Sequence, residues 1–83
     1  MNYYLIRETI EYNNKVTTEK ICVSAGVFKT KESAWNYAKE LIDSCGEFGK
    51  TVRTKTYEKM RLVCNYWDGT EFTYSLVPVR VME

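Results

Sequence analysis

An α+β fold of ββαββ order is predicted for this chain of 83 residues by three observations. One stretch, 27–46, has helical period, while the segments before and after it alternate apolar and polar residues as strands do. Two turn signals, Asn13-Asn14 and Trp67-Asp68-Gly69, fold the alternating segments into hairpins. With 45% hydrophobic and 28% charged residues, one Pro and four Gly, the chain has the composition of a globular domain rather than a disordered one. Its length fits a single domain, 1–83, of a size at which one core is barely sufficient and association with a partner or a second copy is useful.

The first strand, 2–12, places Tyr4, Ile6, Ile10 and Tyr12 on one side and Tyr3, Leu5, Arg7, Thr9 and Glu11 on the other. Asn13-Asn14 tolerates positive φ, and the second strand, 15–28, resumes with Ile21, Val23, Ala25 and Val27 in alternation. A turn of two or four residues opposes Tyr4 to Val23, Ile6 to Ile21 and Thr9 to Thr18, which keeps the apolar faces together. The same register sets Glu8 against Glu19. Two carboxylates across a ladder repel, so this end of the hairpin is expected to project past the helix into water.

In the helix, the Thr30 hydroxyl is placed to accept from the amide of Ser33, and Glu32 complements the dipole in the first turn. Ala34, Ala38, Leu41 and Cys45, joined by Trp35 and Ile42, make one apolar face. Gly46 supplies the left-handed residue that ends the helix. Glu47-Phe48-Gly49 connects to a long third strand, 50–66, with apolar Met60, Leu62, Cys64 and Tyr66 at even positions and basic residues at odd ones.

A three-residue loop with Gly69 in a left-handed bulge then pairs Cys64 with Phe72, Leu62 with Tyr74 and Met60 with Leu76. The last strand, 70–82, changes phase to Val77, Val79 and Val81 around Pro78, which marks a bulge or an edge because it cannot donate to a ladder. A right-handed crossover through the helix makes the second and third strands run the same way, and the first fits between them. The predicted sheet is therefore four-stranded and fully antiparallel, in the order 2-1-3-4, with one helix packed on one face.

The chain contains no His, which removes the commonest general base, metal ligand and nucleophile partner. No glycine-rich phosphate loop or nucleophile elbow occurs. Glu8 and Glu19 are the one carboxylate pair that could do acid-base work or hold a cation, but on an exposed hairpin they lack a pocket. A non-enzymatic protein without cofactor or metal is the expectation. Cys22, Cys45 and Cys64 occupy separate elements with no C-x-x-C pair, so buried thiols in a reducing compartment are predicted. No apolar run approaches a transmembrane length and no signal-peptide layout opens the chain, so a cytoplasmic protein without membrane contact is expected.

With a net charge of +1, any electrostatic preference must come from the distribution of charge. Alternation places Arg53, Lys55, Tyr57, Lys59 and Arg61 on the sheet face away from the helix, beside Tyr3, Leu5 and Arg7, with Lys20 and Cys22 from the second strand. Twelve aromatic residues are more than one helix can cover, and Trp67 at a hairpin tip lies beyond the core. Exposed Tyr, Trp and Arg are the usual anchors of protein interfaces. Tyr3, Arg7, Arg53, Lys55, Tyr57, Lys59, Arg61 and Trp67 are accordingly the candidate contact residues, for a protein partner or for self-association. Single-stranded nucleic acid is the alternative, with bases on the rings and phosphates on the cations.

At Gly26-Val27-Phe28-Lys29-Thr30-Lys31-Glu32-Ser33-Ala34-Trp35 the chain resembles small uncharacterised bacterial and phage accessory domains, in which a charged hairpin leads through G-V-F and a short Ser/Thr cap into K-E-x-A on a helix. The likeness covers roughly the first half and does not reach the second hairpin. It implies a phage, plasmid or bacterial accessory protein that acts by binding, as small anti-defence inhibitors, anti-CRISPR proteins among them, do. No residue matches a motif specific to any one of these.

Overall fold

A computed structural model describes residues 2–46 and 51–80. Strands β1 (Asn2–Tyr12) and β2 (Lys15–Ile21) form the first hairpin, and a 3-10 turn at Val23–Ala25 leads to helix α1 (Lys31–Asp43). Strands β3 (Val52–Tyr57), β4 (Arg61–Tyr66) and β5 (Thr70–Arg80) follow. All five make one antiparallel sheet in the order β2-β1-β5-β4-β3, with α1 packed on one face. The predicted class and antiparallel character stand, whereas the strand number and order require correction.

The expected long third strand is two strands. The chain reverses at Glu58–Met60, where the Glu58 amide donates to the Arg61 carbonyl at 2.9 Å and the Trp35 indole donates to the Glu58 carbonyl at 2.7 Å. No Gly, Pro, Asn or Asp marks the reversal. It is held by a tertiary contact from the helix, which local sequence cannot reveal. The extra reversal also changes the order: β5, the last strand, is the one that fits between β1 and β4, and β2 and β3 become the two edges.

The first hairpin is corrected in register. Asn13 and Asn14, at φ 49° and 66°, make the two-residue turn, and Tyr12 pairs with Lys15 as expected for it. Thr17 is then an extra residue on β2, its hydroxyl donating to the Ile10 carbonyl at 3.0 Å. This bulge shifts every later pair by one, so Glu8 faces Lys20, Thr9 faces Glu19 and Arg7 faces Ile21. The Cys22 amide donates to the Ile6 carbonyl at 2.8 Å, and Cys22 rather than Ile21 packs toward the helix. The predicted confrontation of Glu8 with Glu19 is not formed. The second strand also stops at Ile21 rather than continuing to Phe28, which returns as a single bridge to Tyr4.

The second hairpin follows the predicted register, with Cys64 opposite Phe72, Leu62 opposite Tyr74, and the Leu76 amide donating to Met60. Gly69 takes φ 93° in the bulge. Pro78 lies opposite Tyr4 in an unbroken β1–β5 ladder, beyond the point where β4 has ended, so its missing amide faces a local edge. The phase change expected there does not occur: Val77 and Val79 continue on the face away from the helix.

The core lies between α1 and the even-numbered residues of β1, β4 and β5. Ile6, Leu62, Cys64, Tyr66, Tyr74 and Leu76 pack with Ala34, Ala38 and Ile42, and the Thr30 cap forms as expected, accepting from the Ser33 amide. The expected connector 47–49, the start of the third strand at 50 and the strand end at 81–82 lie outside the described residues. No described helix is long and apolar enough to cross a membrane.

Candidate binding surfaces

The alternation of each strand sorts the eight candidate residues onto different surfaces. Tyr3, Arg7 and Arg61 lie on the sheet face opposite the helix, where Arg61 and Arg7 both flank Ser75. Lys55 and Tyr57 do not share it. Arg53 is a bulge residue in β3, and after it Lys55 pairs with Cys64 and Tyr57 with Leu62, both helix-side positions. The expected continuous row of cations on the open face is therefore not formed, because one inserted residue reverses the side on which every later residue of β3 emerges. Lys20 and Cys22 likewise emerge on the helix side, through the bulge at Thr17.

Lys55 and Tyr57 are used to fasten the end of α1 to β3. The Asp43 carboxylate accepts from Tyr57 at 2.6 Å and from Lys39 at 2.7 Å, and the Asp43 carbonyl accepts from Lys55 at 3.1 Å. The hydrogen bonds from Lys39 and then Tyr57 hold the Asp43 carboxyl below its ordinary range, and the same bond pushes the Tyr57 phenol up to about 12. Tyr57 also stacks obliquely on Trp35, with ring centroids 6.4 Å apart. Beside these rings a cleft of about 560 Å³ opens between the start of α1 and the β3–β4 turn, with Lys31, Lys59, Glu32 and Glu58 around its mouth. Lys59 thus sits at a turn, not on the sheet face.

Trp67 is 66% exposed, and the Arg53 guanidinium lies 5.2 Å from its ring centroid. This pair occupies the β4–β5 end of the molecule and is separate from the Tyr57 group. A second pocket, of about 360 Å³, lies between β2 and α1. At its base the half-buried Glu8 accepts from Tyr74 at 2.9 Å and meets Lys20 at 3.8 Å. Burial and this carboxylate together push the Tyr74 phenol far up, and burial, then Glu8, raises the Cys22 thiol. Cys64 is raised to about 11 by burial and by the neighbouring Cys45 thiol. These are neutral, weakly acidic groups at neutral pH, not activated nucleophiles. Among the described residues no three metal-ligating side chains gather.

Among the described residues no helix or second sheet packs over the sheet face opposite α1. Its pairs define rows across the strands: Tyr3 with Val79; Leu5 with Val77; Ile21, Arg7, Ser75 and Arg61; Glu19, Thr9, Thr73, Val63 and Thr56; Val16, Glu11, Glu71 and Asn65. One end is apolar, the next row is cationic, the middle is threonine-rich and the far end is acidic. Val77, Val79 and Ile21 were not foreseen as surface residues; only the true strand registers show that they stand beside Tyr3, Leu5 and Arg7. Comparison with known proteins finds no matching family, no similar curated protein and no similar solved structure.

Proposed function

We propose that this chain is a non-catalytic binding module that engages a protein partner through the open face of its sheet. The observation that carries this reading is the apolar end of that face, Tyr3, Leu5, Val77, Val79 and Ile21, bordered directly by Arg7 and Arg61. Such a patch, apolar at its centre with arginine at its rim, is the composition of a protein interface. Leaving it in water costs the molecule solubility, and covering it with a partner removes apolar area.

Single-stranded nucleic acid is less well served by this arrangement. Of the expected cations and rings, Tyr3, Arg7 and Arg61 remain together, while Glu11, Glu19 and Glu71 share their face and repel phosphate. The reading is tested by capture from a nuclease-treated bacterial lysate with wild type, with Arg7→Glu/Arg61→Glu, and with Lys31→Glu/Lys59→Glu in the cleft. Loss of the captured protein in the face variant alone supports it. Retention in the face variant, or salt-sensitive binding of a labelled mixed-sequence oligonucleotide by wild type, overturns it.

A further inference from the structure

Two of the three free cysteines meet where the end of α1 lies over β4. Cys64 is fully buried on the helix side of β4, with Lys55 beside it on one flank and Phe72 on the other. Lys55 reaches the Asp43 carbonyl at 3.1 Å, which holds the last turn of α1 over this part of the sheet. Cys45 follows two residues later and is half-buried. Its amide donates to the Ile42 carbonyl at 3.0 Å and its Sγ to the Leu41 carbonyl at 3.5 Å. It packs on the same core cluster as Cys64, and the two thiols are in hydrogen-bonding contact with each other and with the Tyr66 phenol. A cavity of about 320 Å³ opens beside them, lined among others by Cys45, Tyr66, Phe72 and Tyr74. Cys45 is therefore reached from solvent, and Cys64 lies behind it. Cys22 is remote from both: it lies just past β2, with β1 and β5 between it and β4, roughly 14 Å at the usual strand spacing.

We infer that Cys45 and Cys64 are an oxidation site, which a small disulfide of the glutathione type closes into an internal bond pinning the end of α1 to β4. The order of events follows from exposure. Cys45, as its thiolate, attacks one sulfur of the small disulfide; a mixed disulfide forms at Cys45, and one small thiolate leaves and takes up a proton. Cys64 then gives its proton to water and attacks the Cys45 sulfur, which forms the Cys45–Cys64 bond and expels the second small thiol. Two protein thiols are oxidised and one small disulfide is reduced to two thiols. Burial and then the Cys45 thiol hold Cys64 up at about 11, so it stays protonated and does not itself compete for the oxidant. Both cysteines lie on the helix side of the sheet, so the site is independent of the open face proposed to bind a partner. The bond closes a loop of about 20 residues and restricts the unfolded chain, which makes the oxidised form the more stable one.

The test is to hold the reduced, folded chain at neutral pH with oxidised glutathione and to read intact mass and peptide maps over time. Wild type and Cys22→Ser are both expected to end with Cys45 joined to Cys64, and dithiothreitol is expected to restore both thiols. Cys64→Ala removes the second step and is expected to accumulate a mixed disulfide at Cys45. Cys45→Ser removes the first, and its Cys64 is expected to stay unmodified while the chain is folded. Oxidised wild type is expected to unfold at a higher urea concentration than the reduced form. Wild-type thiols that stay free overturn the inference, as does a mixed disulfide that persists at Cys45 in wild type, a bridge that uses Cys22, or a bridge that forms only in urea. An oxidised form that unfolds at lower urea than the reduced one overturns it as well. Bridging in wild type needs no substitution, so these outcomes stand even if loss of the buried Cys64 side chain prevents folding.

Discussion

Asp43 carries more of the joint between helix and sheet than its exposed position suggests. Its side chain joins Lys39 within the helix to Tyr57 on β3, and its carbonyl takes Lys55. The carboxyl is held below its ordinary value, so its contribution to stability is present above that value and is lost as pH falls through the depressed one. Tyr57 works in the opposite direction. Its phenol is raised from 10 to about 12, so its share is present below pH 10 and is lost as pH rises through about 12. Thermal unfolding across a pH series should therefore show wild type losing stability at both limits. Asp43→Asn should flatten the acid limb and much of the alkaline one, whereas Tyr57→Phe should flatten chiefly the alkaline one. An Asp43→Asn profile parallel to wild type would show that the joint contributes nothing.

The elements differ in how far local sequence could specify them. The helix start was legible because the Thr30 cap and the apolar spacing are local chemistry, and the second hairpin was legible because Gly69 admits one bulged register that segregates its faces. The first hairpin was not. Thr17 is an ordinary strand residue, and its bulge is recognisable only from the register it produces, which seats Cys22 beside Ile6. The β3–β4 reversal was hidden for a related reason: Arg53, Lys55, Tyr57, Lys59 and Arg61 keep one alternation through a turn that Trp35 secures from another element. The candidate site suffered most, since a single bulge at Arg53 moved Lys55 and Tyr57 to the other face. Gly69 also joins the two hairpin tips, its carbonyl accepting from the Asn13 amide at 3.1 Å. A Cβ at Gly69 would run into the Asn13 side chain. Gly69→Ala is expected to cost about 2 kcal/mol, from the positive φ and this collision together. Asn13→Gly in the same chain should recover the collision part. Urea denaturation showing a loss below about 0.5 kcal/mol would mean the bulge is not as described.

At the scale of the whole molecule, the two ends of the chain are its centre. β1 and β5 pair along their entire length, from Asn2 with Arg80 to Tyr12 with Thr70; β2 is attached to β1 and β4 to β5, and β3 is reached only through β4. The last strand must therefore find the first across nearly the whole sequence before the core residues Ile6, Tyr74 and Leu76 can close under the helix. β2 is mostly exposed along its length, and β3 has only β4 beside it, so both edges can open while the centre remains paired. Native-state hydrogen exchange should reflect this order. Ladder amides of β1 and β5 beside the helix are expected to exchange last, with protection approaching the global stability. Those of β2 beyond the Thr17 bulge and of β3 should exchange first. Equal protection of β2 and β1 would contradict this hierarchy and show that the sheet opens as one unit.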